Sequence, residues 1–403
     1  MDFSKCTSLL AIALETLSNS SESSIIKLPK SAKYSLQDTL NVILHAATSS
    51  TNSPESASND LKLKNPDKRI PSSDTINNYI KSNSIEYILF AYRKINSNLI
   101  DMLNLRGTTH DVAIDFHDIP YYGDKNTPAV RGIKAKNGTS WGYSFCTIDM
   151  IGSTKLTLDV IDINGLAKNY GVLIESLLKR VSGMDIQIGT LFMDREFFHI
   201  DPISIAHKLH VNYVIAARSN KKINRILDEH KKKFGVTSTI FKYNFDKGGP
   251  TFNIVAVVNP DYDPKAKKGN GNKEYHLFAT NLEMNSISEF IKKIPEEYRK
   301  RWNIETGYRV KNEFKIRTCS TSPVARTFFF VLQCILYNIL NVLKTGVDIT
   351  ASELKSAIGT DIFQFIRCGY DSLCAIPFDI FLKRVMEYNE NRIKMLRIRL
   401  TNS

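Results

Sequence analysis

Apolar residues recur at helical spacing through the first hundred residues of the chain. Residues 7–17 and 34–47 carry them at intervals of three and four, and residues 85–105 form a longer amphipathic segment of the same kind. Residues 48–60 lie between these segments and are almost wholly Ser, Thr, Asn, Pro and acidic residues, a composition that predicts a linker. Residues 1–105 are therefore predicted to form an all-helical N-terminal region.

The polar stretch from Ser72 to Ser82 leaves two interpretations of this region open. Pro71, Ser72 and Asp74 are suited to start a short helix. A short polar helix beside a turn is one half of a DNA-reading helix-turn-helix, but the pattern is common and a plain helical bundle explains it too. A DNA-binding role for the N-terminal region is thus one of two alternatives.

From His110 onward the helical period gives way to short apolar runs of the length of buried strands. The predicted strands are residues 112–116, 141–148, 155–161, 186–193 and 212–217, and the predicted helices between them are 166–181 and 203–209. Three strands followed by alternating helices and strands indicate a mixed α/β sheet with helices packed on it. A possible helix at 223–234 and further strands at 239–243, 252–258 and 275–280 then make a strand-rich piece that interrupts this alternation.

The chain returns to a helical pattern near Pro295. This proline suits the first turn of a helix, which we expect to run to about Arg317. Residues 327–343 are strongly apolar, but they are few for a membrane span and include polar side chains such as Gln333 and Asn338. We therefore interpret this segment as a buried helix and expect no membrane partner.

These patterns divide the chain into three parts. A helical N-terminal region at 1–105 precedes a mixed-sheet α/β core at 106–345, which contains the strand-rich insertion at about 218–285. Residues 346–403 form a helical, basic C-terminal region.

Positive charge is concentrated in the second half of the chain. The 403 residues have a formal net charge of +13, and residues 218–276 alone hold 13 Lys and Arg against 6 Asp and Glu. Further basic windows lie at 289–317 and 383–399. Such a field favours a polyanionic partner, although single clusters such as residues 231–233 can equally be solvated faces. The six cysteines form no Cys-x-x-Cys pair, which fits a reducing, cytoplasmic location.

Two aspartates close apolar runs of the predicted sheet. Asp115 follows Val112-Ala113-Ile114, and Asp194 follows Leu191-Phe192-Met193. Adjacent strand ends can bring the two carboxylates within a few ångströms, and two such acids form a stable pair only around divalent cations. Glu305 is the candidate third acid, because Tyr298, Arg301, Glu305, Tyr308 and Asn312 follow one another at steps of three and four and so share one helix face.

Each acid taken singly also has a structural explanation. An aspartate at a strand end is often a turn residue, and Glu305 can pair with Arg301 or Arg309 at the surface. Asp118 and Asp124 are rivals of Asp115, which we prefer because it alone directly ends its strand, and Glu196 is a lesser rival of Asp194.

Residues 298–309, Tyr-Arg-Lys-Arg-Trp-Asn-Ile-Glu-Thr-Gly-Tyr-Arg, resemble a known signature. It is the Tyr-x2-Arg-x3-Glu-x6-Lys helix of DDE transposases from prokaryotic insertion sequences. Asp194-Arg195 resembles the Asp-Arg-Gly element around the second acid of that family, and Asp115 resembles its first acid. The strand at 275–282 is similar to the family's last strand before the glutamate-bearing helix, so the resemblance covers roughly residues 108–345.

The sequence departs from the family pattern at three places. The signature lysine position is Asn312, with Lys311 and Lys315 as neighbouring substitutes. Glu196 replaces the glycine of Asp-Arg-Gly, and His117 replaces a frequent threonine. These differences leave the three acids in place and bear on the DNA contacts.

The resemblance implies an RNase H-like catalytic core with a β-rich insertion. It implies cut-and-paste DNA transposition of an insertion sequence, in which Asp115, Asp194 and Glu305 hold two Mg²⁺ ions, with Mn²⁺ as a substitute, for phosphodiester hydrolysis and strand transfer. The partners it implies are double-stranded DNA, namely the terminal inverted repeats and the target DNA, bound by a homodimer. The residues expected to contact DNA are Tyr298, Arg301, Arg309, Lys311 and Lys315, with the lysines of 231–233 and 265–268 along the backbone. The alternatives are a catalytically silent or repurposed DNA-binding protein derived from a transposase and a nuclease that cuts without joining.

Overall fold

Four helices precede the sheet in the computed structural model, which describes residues 13, 16–17, 24–50, 52–163, 169–263, 265, 273–345 and 349–368. They are α1 (Leu36–Thr48), α2 (Pro54–Lys64), α3 (Ser73–Lys81) and α4 (Ile85–Met102). Each begins after a serine whose hydroxyl accepts a hydrogen bond from a backbone N–H three residues later; these serines are Ser35, Ser53, Ser72 and Ser84. This N-cap bond satisfies one of the N–H groups that the first turn of a helix leaves free.

The helix α2 shows that the predicted linker at residues 48–60 is wrong. Ser53 caps a helix whose first residue is Pro54, a position where proline is tolerated because its missing N–H is not needed. Only Pro54, Ala57, Ser58 and Leu61 of α2 are buried. The apolar stripe is therefore too thin to show in a sequence pattern, and tertiary contacts with α1 and α3 stabilise the helix.

One sheet of nine strands lies at the centre of the described chain. Its strands are β1 (Thr109–Pro120), β2 (Arg131–Lys136), β3 (Thr139–Met150), β4 (Thr157–Asp162), β5 (Gln187–Met193), β6 (Asn212–Ala216), β7 (Thr239–Phe245), β8 (Gly248–Val258) and β9 (Tyr275–Thr280). The order is β2-β3-β1-β5-β6-β9-β8-β7, and β4 also pairs with β3. Only the neighbours β1, β5 and β6 run parallel to one another. The predicted mixed α/β architecture is confirmed.

The strand-rich piece at about 218–285 extends this sheet instead of interrupting it. Strand β9 pairs antiparallel with β6, with Ile215 opposite Ala279, and β8 and β7 follow at the edge. Helix α7 (Lys221–Phe234) lies before these strands along the chain, whereas α5 (Tyr170–Gly183) and α6 (Ile200–Lys208) connect the strands of the core.

Four further helices follow the sheet within the described part of the chain. They are α8 (Ile287–Arg299), α9 (Trp302–Asn312), α10 (Pro323–Lys344) and α11 (Ala351–Cys368). The single helix expected from Pro295 to Arg317 is therefore wrong, since Pro295 lies inside α8. At the junction of α8 and α9, the N–H groups of Lys300 and Arg301 bond to carbonyls three residues back, a tight turn between two helices.

Helix α10 is the central helix of the core. It is apolar and long enough to cross a membrane by length and composition, but 89% of its most apolar window is buried within the fold. Asn338 accepts a hydrogen bond from the Thr157 N–H at 2.8 Å and donates one to Asn96 at 2.9 Å, so it joins α10 to β4 and α4. The prediction of a buried helix is confirmed. Of the C-terminal region at 346–403, only 349–368 is described, and the basic window at 383–399 lies outside the described residues.

Candidate active site

The register of two parallel strands brings Asp115 and Asp194 together. Ile114 of β1 lies opposite Met193 of β5, and each aspartate is the next residue along the chain. Asp115 does not end its strand as expected, because β1 continues to Pro120 in pairing with β3. What ends at Ile114 is the pairing with β5. This end of the parallel pair is where open α/β sheets place their functional side chains.

Asp194 lies in a tight turn directly after β5. Its carboxylate accepts a hydrogen bond from the Glu196 N–H at 2.7 Å and so caps the short 3₁₀ helix Arg195–Phe197. The cap fixes the orientation of the side chain at the strand end. Asp194 therefore also has a structural role, as the N-cap of this short helix.

Arg301 links Asp115 to Glu305. One guanidinium nitrogen, Nη1, lies 3.4 Å from Asp115 Oδ2, and the other, Nη2, pairs with Glu305 Oε1. Glu305 occupies the first turn of α9, where the helix dipole favours an acid. The Arg301 side chain is only 12% exposed, against 38% for Glu305, so the acids meet a cation that is largely shielded from water.

The charges of Asp194 and Glu305 both act on the carboxyl group of Asp115. Burial raises the pKa of Asp115 to about 7; the Arg301 guanidinium opposes this rise, whereas the charges of Asp194 and Glu305 add to it. Burial also raises the pKa of Asp194, against the lowering effect of the Glu196 N–H bond. Arg301 alone therefore does not offset the cost of ionising Asp115 and Asp194, and additional positive charge would favour their ionised forms.

A divalent cation fits the chemistry of this donor set. Carboxylate oxygens are the ligands that Mg²⁺ and Mn²⁺ prefer. Among the described residues, no three His, Cys, Asp or Glu side chains are already arranged to hold a metal ion. At Asp115 and Glu305, the Arg301 guanidinium takes the place of that positive charge.

Lys311, a predicted DNA-binding residue, is wrong for that role. Its side chain is fully buried and its ammonium lies 2.5 Å from Asp149 Oδ1 of β3. The hydroxyls of Thr147 and Thr157 each donate to the same carboxylate at 2.6 Å. Lysine 311 therefore holds α9 against the sheet and has no access to DNA.

The aromatic side chains of this face complete the contact between α9 and the sheet. The Tyr308 hydroxyl lies 2.6 Å from Thr147 Oγ1, and its ring stacks on His117 with centroids 4.5 Å apart. A Cβ at Gly307 would meet the Tyr337 hydroxyl at 3.1 Å, so the glycine allows α9 to approach α10 closely. Burial lowers the pKa of His117 to about 3. The histidine is thus a neutral ring that packs on Tyr308 and Phe330.

The other predicted DNA contacts differ in their exposure. Arg309 is exposed, and Lys315 is half-buried. Tyr298 is half-buried and packs on Phe278, with ring centroids 5.2 Å apart. Their contact with DNA stays a prediction. Lys231 pairs with Glu274 at 2.6 Å, and of residues 265–268 only Lys265 is among the described residues.

Of the rival carboxylates, Asp118 lies away from the acid trio, whereas the charge of Glu196 acts on Asp194 and raises its pKa. Side chains alternate along a strand, so Asp118 lies on the face of β1 opposite to Asp115. Asp118 accepts a hydrogen bond from Ser144, and Glu196 accepts one from Tyr170 at 2.8 Å. Asp118 and Glu196 line one groove together with Arg131 and Arg218. The Arg301 pairing favours Asp115 over Asp118 as the member of the trio.

Two contacts of the site were not expected from the sequence. Lys300 pairs with Asp111 at 3.1 Å and with Glu297 at 2.6 Å, which fixes the α8–α9 junction to the start of β1. Asp149 is the buried partner of Lys311. The signal for Asp149 was its place at the end of the apolar run of β3, because a buried aspartate requires a paired donor.

Comparison with known proteins identifies the class. Residues 112–339 match the sequence profile described as Transposase DDE domain. The match spans more than half of the chain and includes all three acids, and the protein therefore belongs to this family.

A solved structure supports the same fold. The chain is similar to piggyBac transposase, seen by cryo-EM in a synaptic complex with hairpin DNA, at a TM-score of 0.59 and 14% sequence identity. The similarity covers 95% of this chain and 85% of that chain. The fold is thus that of an RNase H-like transposase. A search of curated proteins gave no match.

Proposed function

We propose that the protein is the transposase of a prokaryotic insertion sequence and cuts and joins DNA by metal-dependent phosphodiester chemistry. The observation that carries the proposal is the convergence of Asp115, Asp194 and Glu305 around Arg301, from three distant parts of the chain. Membership of the transposase family supports the reaction class. The resemblance of residues 298–309 to the insertion-sequence signature supports the type of element.

The three acids would hold the two Mg²⁺ ions, with Mn²⁺ as a substitute. When bound, such ions make water a stronger nucleophile and stabilise the negative charge on the phosphoryl group and the departing oxygen. The protein's part is to fix the carboxylates: the Glu196 N–H orients Asp194, and the buried Lys311–Asp149 pair orients the helix that carries Glu305. The attacking hydroxyl of the second step would be the 3′ end freed by the first.

The DNA is proposed to lie across the face where α8 and α9 meet. Arg301 would grip a phosphate beside the scissile bond, and Tyr298 would pack next to it, since its ring lies 5.6 Å from the Arg301 guanidinium carbon. Arg309 and Lys315 would contact the backbone further along. Lys315 lies near Lys136, Arg317 and Arg326, whose charges and its own burial lower its pKa, and such a cluster suits a polyanion.

The proposed partners are the terminal inverted repeats of the element and the target DNA. Two ends have to be brought together before they can be joined, which supports a homodimer on DNA. The structurally similar piggyBac transposase was seen in a synaptic complex with DNA, and this supports DNA binding for the fold. We place the protein in the cytoplasm, at the nucleoid.

The test is a cleavage and joining assay with purified full-length protein, Mg²⁺, and a linear DNA that carries the gene with its flanking sequence. Wild-type protein should release the element at its ends and join it to a target plasmid. Asp194→Asn should abolish both products, whereas the matched control Asp118→Asn, on the opposite face of β1, should retain them.

Three other outcomes of this assay would contradict the proposal. Cleavage at the ends without joined products would indicate a nuclease that does not transpose. Binding of the ends without any cleavage would indicate a repurposed DNA-binding protein. Loss of activity in Asp118→Asn but not in Asp194→Asn would overturn the assignment of the acids.

A further inference from the structure

Arg301 occupies the place between two of the acids where a metal ion would need to bind. Its two terminal nitrogens contact carboxylates from different elements, Asp115 of β1 and Glu305 of α9. We propose that Arg301 is an internal counter-ion that competes with divalent cations for these acids, and that a DNA phosphate draws it away, so that DNA and metal bind cooperatively. This inference rests on the proposed function.

The guanidinium is held in this position by the two acids and by the ring of Tyr298, which lies 5.6 Å from its carbon. Its side chain is 12% exposed, and its Nε is buried without a hydrogen-bond partner among the described residues. A buried donor without an acceptor costs free energy. The acid-bound position of Arg301 is therefore incompletely satisfied, and another set of acceptors could replace it.

A phosphate provides such acceptors. A guanidinium binds phosphate with two parallel hydrogen bonds, as it binds a carboxylate. Arg301 lies in the tight turn between α8 and α9. A new partner can thus take the side chain while the backbone of both helices stays in place.

This change of partner by Arg301 couples the binding of the divalent cation to the binding of DNA. Without DNA, a divalent cation has to displace the guanidinium and leave it buried and unpaired, which weakens cation binding. With DNA, the phosphate pairs with Arg301 and the acids become available. Because coupling between two sites is reciprocal, the cation should strengthen DNA binding by the same factor.

Mn²⁺ binding measured by calorimetry tests this without any cleavage readout. In the full-length protein without DNA, Arg301→Gln should bind Mn²⁺ about tenfold more tightly than wild type, within the usual range of coupling between sites. Arg225→Gln is the matched control, because it removes the same charge from an exposed position of α7 and should leave Mn²⁺ affinity near that of wild type.

A second titration includes a precleaved duplex that carries the element's end. DNA should raise the Mn²⁺ affinity of wild type and of Arg225→Gln, but not that of Arg301→Gln. Arg301→Lys, which keeps a charge but cannot bridge two carboxylates in the same way, should fall between Gln and wild type. If Arg301→Gln does not fold, Arg301→Lys takes its place in both titrations.

The outcomes separate the two proposals. Equal Mn²⁺ affinity in wild type, Arg301→Gln and Arg301→Lys, with the same response to DNA, would overturn the role of Arg301 and leave the proposed function standing. Absence of Mn²⁺ binding in every variant, with and without DNA, would overturn both.

Discussion

The ammonium of Lys311 lies 2.5 Å from the carboxylate of Asp149 in the interior of the protein. Lys311 lies six positions after Glu305 on the same helix, so its pairing with Asp149 sets how α9 packs on β3. The aromatic rings of Tyr308 and Tyr337 lie 4.4 and 5.0 Å from the ammonium and enclose it. The position of a surface acid of the site thus depends on an ion pair in the core.

We predict that breaking this pair strongly destabilises the fold. Lys311→Met leaves the Asp149 charge buried without its cation, and such a loss costs about 3–5 kcal/mol. Urea unfolding should show this decrease in the free energy of unfolding. The double variant Lys311→Met with Asp149→Leu should recover part of it, since both charges are then absent.

The exposed Lys292→Met in α8 is the control and should change stability little. If the double variant lost as much as the sum of the two single variants, the side chains would not be coupled and the ion pair would not position α9.

We predict that Arg309 and Lys315 contribute to DNA binding through phosphate contacts. Each contact releases about one counter-ion, so Arg309→Gln or Lys315→Gln should reduce the slope of log affinity against log salt by about one. Fluorescence anisotropy with a labelled duplex between low and moderate salt measures this slope. An unchanged slope in both variants would place the DNA elsewhere on the surface.

The pair His45–Asp60 predicts how stability depends on pH. His45 joins α1 to α2 with Nε2 2.8 Å from Asp60 Oδ2, and burial lowers the pKa of His45 below its usual 6.5, against the raising effect of Asp60. A lowered histidine pKa means that the folded state prefers the neutral ring. Its stabilising contribution is therefore complete above pH 6.5 and is lost as the pH falls below that value.

Thermal unfolding between pH 8 and pH 5 measures this effect. The wild-type Tm should fall over this range by more than that of His45→Gln, which cannot titrate. Parallel curves for the two proteins would show that His45 does not contribute to the acid sensitivity.

Apart from β2, whose largely exposed residues form no apolar run, the order of strands and helices in the core could be predicted from periodicity, because short apolar runs and apolar stripes depend on local sequence. The approach of Asp115 to Asp194 followed for the same reason, since each acid comes directly after a buried run. The helix α2 could not be predicted, because its capping serine and first-turn proline occur in a segment with the composition of a linker.

The sequence did not predict which charged side chains are buried in the folded protein. Nothing in residues 298–315 distinguishes the exposed Arg309 from the buried Lys311, because burial is decided by Asp149 far away in sequence. The position of Arg301 between two acids likewise depends on how α9 meets β1. The continuation of β1 past Asp115 depends on β3, whose pairing a single-strand pattern does not contain.

The substitution Glu305→Gln tests the central claim most directly. In a Mg²⁺ cleavage assay on DNA with the element's ends, it should lower the rate by at least about 100-fold, the usual cost of removing one group that stabilises the transition state. DNA affinity should stay near that of wild type, and the matched control Glu313→Gln, at the other end of α9, should cleave normally. Wild-type cleavage by Glu305→Gln would contradict the assignment of Asp115, Asp194 and Glu305 as the catalytic acids.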